Sequence, residues 1–554
     1  MTGGTGAPES CPLPGILDDL RREEAASVLF RRDGEVVRVS HARCRADAAA
    51  LAVALAGRGL RPGDRVAIHG ATGYEWVLAD LACVLTGAVS VALYPSAPLS
   101  RAVSVAVESG CTLVLTDRLD AVPVFRDRGL DVVLLRGPSG TGSGTGSGTG
   151  SGTGSGAPSG TPTVGDLSGG PGAELRCPPR RGPFTVVSTS GTLSAPKLFT
   201  VAAAPLLFTM DRFAEIYGFG RGDRLLLYLP LSHLPQRMML YWALGNGLDV
   251  VLSDPATFAA DGAHLAPTLH VTVPRVLEHV RKQVTSAVAA RGVDPAAAYR
   301  AVFGPAIRTV FVGSAPTDPA LMSELLAAGV PLYEVYGTTE LGMIALNTPA
   351  DRRPGTVGRP IPWGEVRIDP GTSEILVRTP TPFLHERLAD GTARRHSWEE
   401  GRFEPTADAG EFDADGFLRI RGRLRDFLVL PSGEKVFLAR IEAALRAATG
   451  AEACHVSLRP GGRLGALLFV TDGARRADDV LRAGLHAANA RLHAWERVRS
   501  YAVVDRFPTV EEGCLTETGK PRRHMIEKIH AGTVTWLQVR LPDAPVDAAV
   551  PGQR

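Results

Sequence analysis

The stretch STSGTLSAPKLFT, residues 188–200, places the hydroxyls of Thr189, Ser190 and Thr192 around Gly191, with Lys197 five residues further on. Hydroxyls on a permissive backbone can donate to phosphate oxygens, and an ammonium adds positive charge. An ordinary turn has the same composition. The phosphate-loop pattern G-x-x-x-x-G-K-[ST] occurs nowhere; its nearest approach, Gly519-Lys520, runs into Pro521.

Three further segments carry reactive side chains. In VYGTTELGM (335–343), Tyr336, Gly337, Thr339 and Glu340 follow an apolar run. An aromatic face can stack on a base, a hydroxyl can bind phosphate and a carboxylate can hold Mg²⁺; the alternative is a solvated turn at a strand end. The segment 405–435 carries Asp408 and Arg423 on either side of a hairpin pattern. A carboxylate suits a ribose diol and a guanidinium suits ribose or phosphate oxygens, although charged hairpins are common. In LTETGKPRR (515–523), Lys520 precedes Arg522 and Arg523, which also describes a solvated basic loop.

The elements that must position these residues alternate between strand and helix. Residues 47–64 form an Ala/Leu helix closed by a glycine turn, and RVAIHG (65–70) a buried strand. Helix and strand alternate again through 74–95, and RTVFVGSAP (308–316), ALMSELLAAG (320–329) and VPLYEVYG (330–337) repeat the pattern. Such βα units predict an α/β fold with mostly parallel sheets, whose ligands sit at the carboxyl ends of strands. Near residue 420 the pattern changes to a hairpin turning at Asp415-Gly416, then short strands and an amphipathic helix. We therefore expect a large domain over 1–423, a small α+β domain over 424–535 and a patternless tail over 536–554. The tract 137–160, in which SGTG repeats four times, reads as a flexible insertion within the large domain.

Composition narrows the function classes. The chain has 554 residues, 44% hydrophobic and 21% charged, with a net charge of +2. That balance predicts a multidomain globular protein and supplies no electrostatic case for nucleic acid. The seven cysteines are scattered without a C-x-x-C pair, which predicts a reducing, cytoplasmic setting. The apolar run 76–95 contains Asp80 and Gly87 and reads as helix, turn and strand, so no transmembrane segment is expected.

Taken together, the four segments in this order resemble the AMP-forming adenylating superfamily: acyl-CoA synthetases, luciferases and peptide-synthetase adenylation domains. The long-chain fatty acyl-CoA synthetase branch is the most similar, through LPLSHLPQRM (229–238), TVPRVLEHV (272–280), GSAP (313–316), YGTTE (336–340), GTVGRPIPWGEVRI (355–368) and GRLRDFLVLPSGEKVFLARIE (422–442). The resemblance implies a large N-terminal adenylating domain and a small mobile C-terminal one carrying the catalytic lysine. ATP and Mg²⁺ are implied, with coenzyme A as co-substrate, a carrier-protein thiol as another acceptor, and a monomer or dimer.

By that match, Thr189, Ser190, Gly191, Thr192 and Lys197 hold the leaving phosphates. Thr339 contacts the α-phosphate and Glu340 the Mg²⁺. Tyr336 stacks on adenine, with Gly337 beside it among the cofactor-binding residues, opposite a wall of Gly313, Ser314 and Ala315. Asp408 and Arg423 take the ribose hydroxyls, Lys520 bridges the attacking carboxylate and the phosphate, His233 flanks the acid pocket and Arg425 is the hinge. The chain departs from the family's loop, T-S-G-T-T-G-x-P-K-G, at Leu193, Ser194 and Leu198, and from its T-G-D at Ala407. The implied reaction is adenylation of a fatty or aryl acid and transfer to a thiol. The changed loop also fits a relative from bacterial secondary metabolism, a diazotase that activates nitrite for capture by an aryl amine.

Overall fold

A computed structural model describes residues 12–137, 161–168, 183–189, 197–379, 384–387, 393–395, 402–430, 435–470, 478–516 and 521–539. Contacts divide the chain into two compact units: residues 1–368, 376–406 and 412–419, and residues 369–375, 407–411 and 420–554. The boundary falls inside the strands Glu374–Arg378, Glu404–Phe412 and Leu418–Arg423. The SGTG tract lies outside the described residues.

The first unit is built on two large sheets. One has nine strands, and six of them run parallel: Leu332–Thr338, Thr309–Val312, Leu269–Thr272, Arg224–Leu227, Asp249–Leu252 and Ser27–Arg32, in that order. The other has eight strands, with Thr185–Thr189, Val89–Leu93, Arg65–His69, Cys111–Thr116 and Asp131–Leu134 parallel. Antiparallel strands complete the sheets at their ends, as expected where hairpins extend a βα-wound core. The apolar run 76–95 resolves into the end of helix Tyr74–Thr86, a left-handed Gly87 and strand Val89–Leu93. No helix among the described residues is long and apolar enough to cross a membrane.

Between the eight-stranded sheet and its helices lies a fully buried ion pair. Arg237, on helix Leu234–Gly245, is 1% exposed, and so is Asp80 on helix Tyr74–Thr86. The guanidinium donates from Nε to Asp80 Oδ2 at 2.7 Å, from Nη2 to Asp80 Oδ1 and from Nη1 to Thr185 Oγ1 at 2.6 Å. It also donates to Ser90 Oγ, and Tyr241 donates its hydroxyl to Asp80 at 2.8 Å. Ser90 and Thr185 face each other on adjacent parallel strands, so one side chain spans a strand pair and ties it to two helices. The rings of Phe184 and Trp76 lie 5.0 and 5.4 Å from the guanidinium carbon and add cation–π attraction.

The second unit contains a sheet of Ala453–Arg459, Arg463–Phe469, Val498–Val504 and Leu537–Gln538. Helices Leu438–Thr449 and Asp478–Ala490 supply its main apolar cover: Ile441, Leu445, Leu481 and Leu485 share one buried cluster with Val456, Leu464 and Leu468. The hairpin read around Asp415-Gly416 is present, with Gly416 at a φ of 82°. The expected absence of pattern beyond residue 535 is corrected at Leu537–Gln538, which pairs antiparallel with Ser500 and Tyr501. Two residues paired through backbone alone leave no periodic signal in a sequence.

Removing one member of a desolvated pair strands a charge in the core. Arg237→Met should therefore lower unfolding stability by about 3–5 kcal/mol, whereas Asp80→Leu with Arg237→Met should recover most of that loss. Denaturant unfolding of the single and double variants checks this; equal losses in both would show that the hydrogen-bonding geometry, not the unpaired charge, dominates.

Candidate active site

Within the first unit, three polar segments meet at the carboxyl end of the nine-stranded sheet. Thr309–Val312 and Leu332–Thr338 are parallel neighbours, with Val312 opposite Glu334. The first runs into Gly313, Ser314 and Ala315, and the second continues through Tyr336 into the turn at Thr339-Glu340. The strand register thus brings the 313–315 loop beside Tyr336. His233 joins them: its Nε2 lies 3.1 Å from Ser314 Oγ. His233 occupies the position before helix Leu234–Gly245, the helix that Arg237 anchors one turn later.

Backbone geometry explains the small residues. A Cβ on Gly313 would stand 3.0 Å from the carbonyl oxygen of Val335, and one on Gly337 only 2.4 Å from that of Gly342. The hairpin from Leu332–Thr338 to Gly342–Leu346 shifts register between Tyr336 and Gly337. Glycine at 337 permits that close crossing of backbones. Leu341 N donates to Thr338 Oγ1 at 3.1 Å, which fixes the turn carrying Thr339 and Glu340. Ser314 is held at a φ of 69°, a left-handed conformation uncommon for a residue with a Cβ.

Glu334 is a positioning residue that the sequence reading passed over. It is buried, and its Oε1 accepts from Thr317 N at 2.9 Å, which ties down the end of the 313–316 loop. Its carbonyl accepts from Asn347 Nδ2, and Asn347 also donates to Thr356 O and accepts from Arg353 N. Burial pushes the Glu334 carboxyl up to about 7, against the opposing pull of the Thr317 hydrogen bond. The available signal was a carboxylate inside an otherwise apolar strand, two residues before Tyr336.

The strands flanking the hydroxyl-rich loop are antiparallel, with Thr189 directly across from Lys197. Ser190, Gly191 and Thr192 lie outside the described residues, as does Lys520. Leu198, which departs from the family pattern, is 7% exposed and packs in the cluster with Val186, Leu93 and Val91. A buried leucine contributes roughly 1.5–3 kcal/mol of transfer free energy, so this departure adds to the core of the eight-stranded sheet.

The second unit holds Asp408, Arg423 and the backbone of Arg425. Arg423 Nε lies 2.9 Å from Asp408 Oδ1, and Asp408 is buried. Ala407, where the family's pattern has glycine, adopts a φ of 59° while its N–H donates to Glu374 Oε1 at 2.8 Å. A left-handed alanine costs on the order of 1 kcal/mol. Arg425 sits in the short 3₁₀ turn Leu424–Asp426. The segment carrying Lys520 is closed at its base by a bridge between Leu515 and Pro521 and by Arg522 N donating to Cys514 O at 2.7 Å. Arg523 anchors its far end on Glu442 through Nη1 at 2.7 Å and Nη2 at 2.6 Å.

Comparison with known proteins places this geometry. The family described as AMP-binding enzyme matches residues 19–381. Long-chain-fatty-acid–CoA ligase FadD15 of Mycobacterium tuberculosis is 27% identical over 93% of this chain and 94% of its own length. Among solved structures, the anthranilate CoA ligase AuaEII in complex with anthranoyl-AMP superposes with a TM-score of 0.75 at 18% identity, covering 94% of this chain and 97% of its own. The o-succinylbenzoate CoA synthetase of Bacillus subtilis with its acyl-adenylate gives 0.72 at 20% identity, covering 93% and 98%. These two likenesses establish the adenylating-enzyme fold.

The raised Glu334 group has a pH signature. Its folded value lies above its ordinary 4.5, so the folded state binds the proton more tightly. Its contribution to stability is full below about 4.5 and is lost as pH rises through about 7, by at most about 3 kcal/mol. Glu334→Gln should remove that slope, so the wild type should lose stability relative to the variant between pH 5 and pH 8. Parallel unfolding curves across that range would show that Glu334 titrates normally.

Proposed function

The chain belongs to the AMP-binding enzyme family, and from that premise we propose that it is an AMP-forming ligase joining a fatty or aryl acid to the thiol of coenzyme A. The observation that carries this reading is the meeting of the 313–315 loop, Tyr336, the Thr339-Glu340 turn and His233 at one strand-end site, within a family match spanning residues 19–381. A carboxylate oxygen of the acid attacks the α-phosphorus of ATP, the bond to pyrophosphate breaks and an acyl-adenylate remains. The thiol sulfur then attacks the acyl carbon, AMP leaves and the thiol proton passes to solvent.

The role of each residue is the one that the family resemblance implies. Thr189, Ser190, Gly191, Thr192 and Lys197 hold the departing phosphates. Tyr336 and the Gly313–Ala315 loop enclose the adenine, while Asp408 and Arg423 engage the ribose. Thr339 meets the α-phosphate, and Lys520 neutralises charge on the attacking carboxylate and the phosphorane. His233 borders the acid, and Arg425 is the pivot between the two half-reactions. These contributions are positional and electrostatic, the usual basis of catalysis at phosphorus. Glu340, partly exposed at its turn beside a threonine hydroxyl, suits Mg²⁺, which keeps most of its water ligands. Bound there, the ion would neutralise phosphate charge.

The loop departures also fit nitrite activation. The burial of Leu198 accounts for one of them by packing, and the relatives named above are ligases of carboxylic acids. Both points weigh for the acid.

The deciding assay is release of AMP and pyrophosphate with ATP and Mg²⁺ against fatty acids, aryl acids, and nitrite with an aminophenol. Turnover with a carboxylic acid, and a thioester on adding coenzyme A, is expected; turnover with nitrite alone would overturn the reading. Lys520→Ala should slow adenylate formation by two or more orders of magnitude, an effect of about 3 kcal/mol or more on the barrier, with ATP binding retained.

A further inference from the structure

At the base of the Lys520 segment, Glu512, Cys514 and His530 bring together a carboxylate oxygen, a thiol sulfur and a ring nitrogen, all within 4.8 Å of one another. Cys514 is fully buried and His530 is 3% exposed. His530 Nε2 is buried with no hydrogen-bond partner among the described residues. A buried imidazole nitrogen with no partner among the described residues is one that a metal ion would satisfy. His530 is carried on a π-helical turn, Glu527–Ala531, and the Phe469 ring covers it edge-on at 5.4 Å.

We propose that Glu512, Cys514 and His530 form a zinc site that clamps the two flanks of the catalytic-lysine segment. The donor set is mixed: a soft thiolate, an imidazole and a carboxylate. Zn²⁺ accepts that combination in tetrahedral geometry, with water in the fourth position, whereas Mg²⁺ and Ca²⁺ prefer oxygen alone. Thiolate and carboxylate together balance the two positive charges of the ion. Arg506 stands outside this set, its Nη1 2.6 Å from Glu512 Oε1, and serves as the outer partner that orients a ligating carboxylate.

Burial, with Arg506 nearby, lowers the His530 imidazole below its ordinary value although Glu512 pulls the other way and His455 adds a small push downward. The neutral ring is the form that ligates a metal ion. Burial raises the Cys514 thiol, as does Glu512, with Arg506 opposing. Binding must then expel one proton from Cys514 as the Zn–S bond forms. The position explains what the site would do. Cys514 O accepts from Arg522 N across the base of the lysine segment, and His530 lies on the turn that follows it. A shared ion would fix both flanks of Lys520.

The test uses the full-length protein, stripped with a chelator and titrated with Co²⁺ as a spectroscopic stand-in for Zn²⁺. A cobalt–thiolate charge-transfer band saturating near one equivalent per chain, bleached by Zn²⁺, is expected. Cys514→Ser and His530→Gln should lose the band, and Cys454→Ser should keep it. Zinc content of the untreated wild type should match that stoichiometry, which covers the case of a variant that fails to fold. Absence of both the band and zinc in the wild type, or a band that survives Cys514→Ser, would overturn the proposal.

Discussion

A guanidinium sealed from water must find its hydrogen bonds inside the protein, and Arg237 finds them on Asp80, Thr185 and Ser90. That requirement fixes several distances at once. Helix Leu234–Gly245 is held to helix Tyr74–Thr86 and to the parallel pair of Ser90 and Thr185. The same helix begins directly after His233, and the strand of Thr185 runs straight into the hydroxyl-rich loop. Desolvating two charges is expensive, so such a pair adds little net stability over an apolar replacement. What it contributes is geometry, because each donor is satisfied by a group on a particular one of the four elements.

The chemistry of the first unit rides on that frame. Parallel strands end at one edge of the nine-stranded sheet, and their loops carry Gly313, Ser314, Tyr336, Thr339 and Glu340. The contacts that hold the loops include His233 on Ser314, Glu334 on Thr317 and Asn347 on the hairpin that follows. A strained Ser314 and a glycine pressed against Gly342 are conformations that the surrounding sheet maintains. Charge neutralisation at phosphorus depends on donors being in place beforehand, so a rigid strand-end site suits adenylation better than a mobile one.

The second unit treats its lysine in a similar way. The residues on both sides of 517–520 are pinned by the Leu515–Pro521 bridge and by the Arg523–Glu442 pair. Burial works against the charge of Arg523, but Glu442, helped by Asp426 and Cys454, more than restores it. Glu442 also accepts from Val456 N at 2.8 Å, so the helix Leu438–Thr449, the sheet and the lysine segment share one carboxylate. A long side chain on a short segment acts reproducibly only when the base of that segment does not move.

Local pattern alone determined much of this protein. Apolar runs bounded by glycine marked the parallel strands, and Gly87 and Asp415-Gly416 marked turns, because strand periodicity and turn chemistry are properties of neighbouring residues. The order of the four reactive segments likewise marked the family. Only the tertiary structure decided the rest. Ser27–Arg32 pairs with Asp249–Leu252 across more than two hundred residues, and no local signal encodes such a partner. Nothing local pairs Arg237 with Asp80, 157 residues away along the chain. Leu198 is a departure from the family's loop in sequence, and its burial in the core is set by packing. Glu512 and Cys514 are two residues apart, but His530 lies 16 residues beyond Cys514, so their proximity is set by how the chain returns on itself. Sequence specifies which groups are available and the local backbone they favour; long-range packing specifies which of them touch.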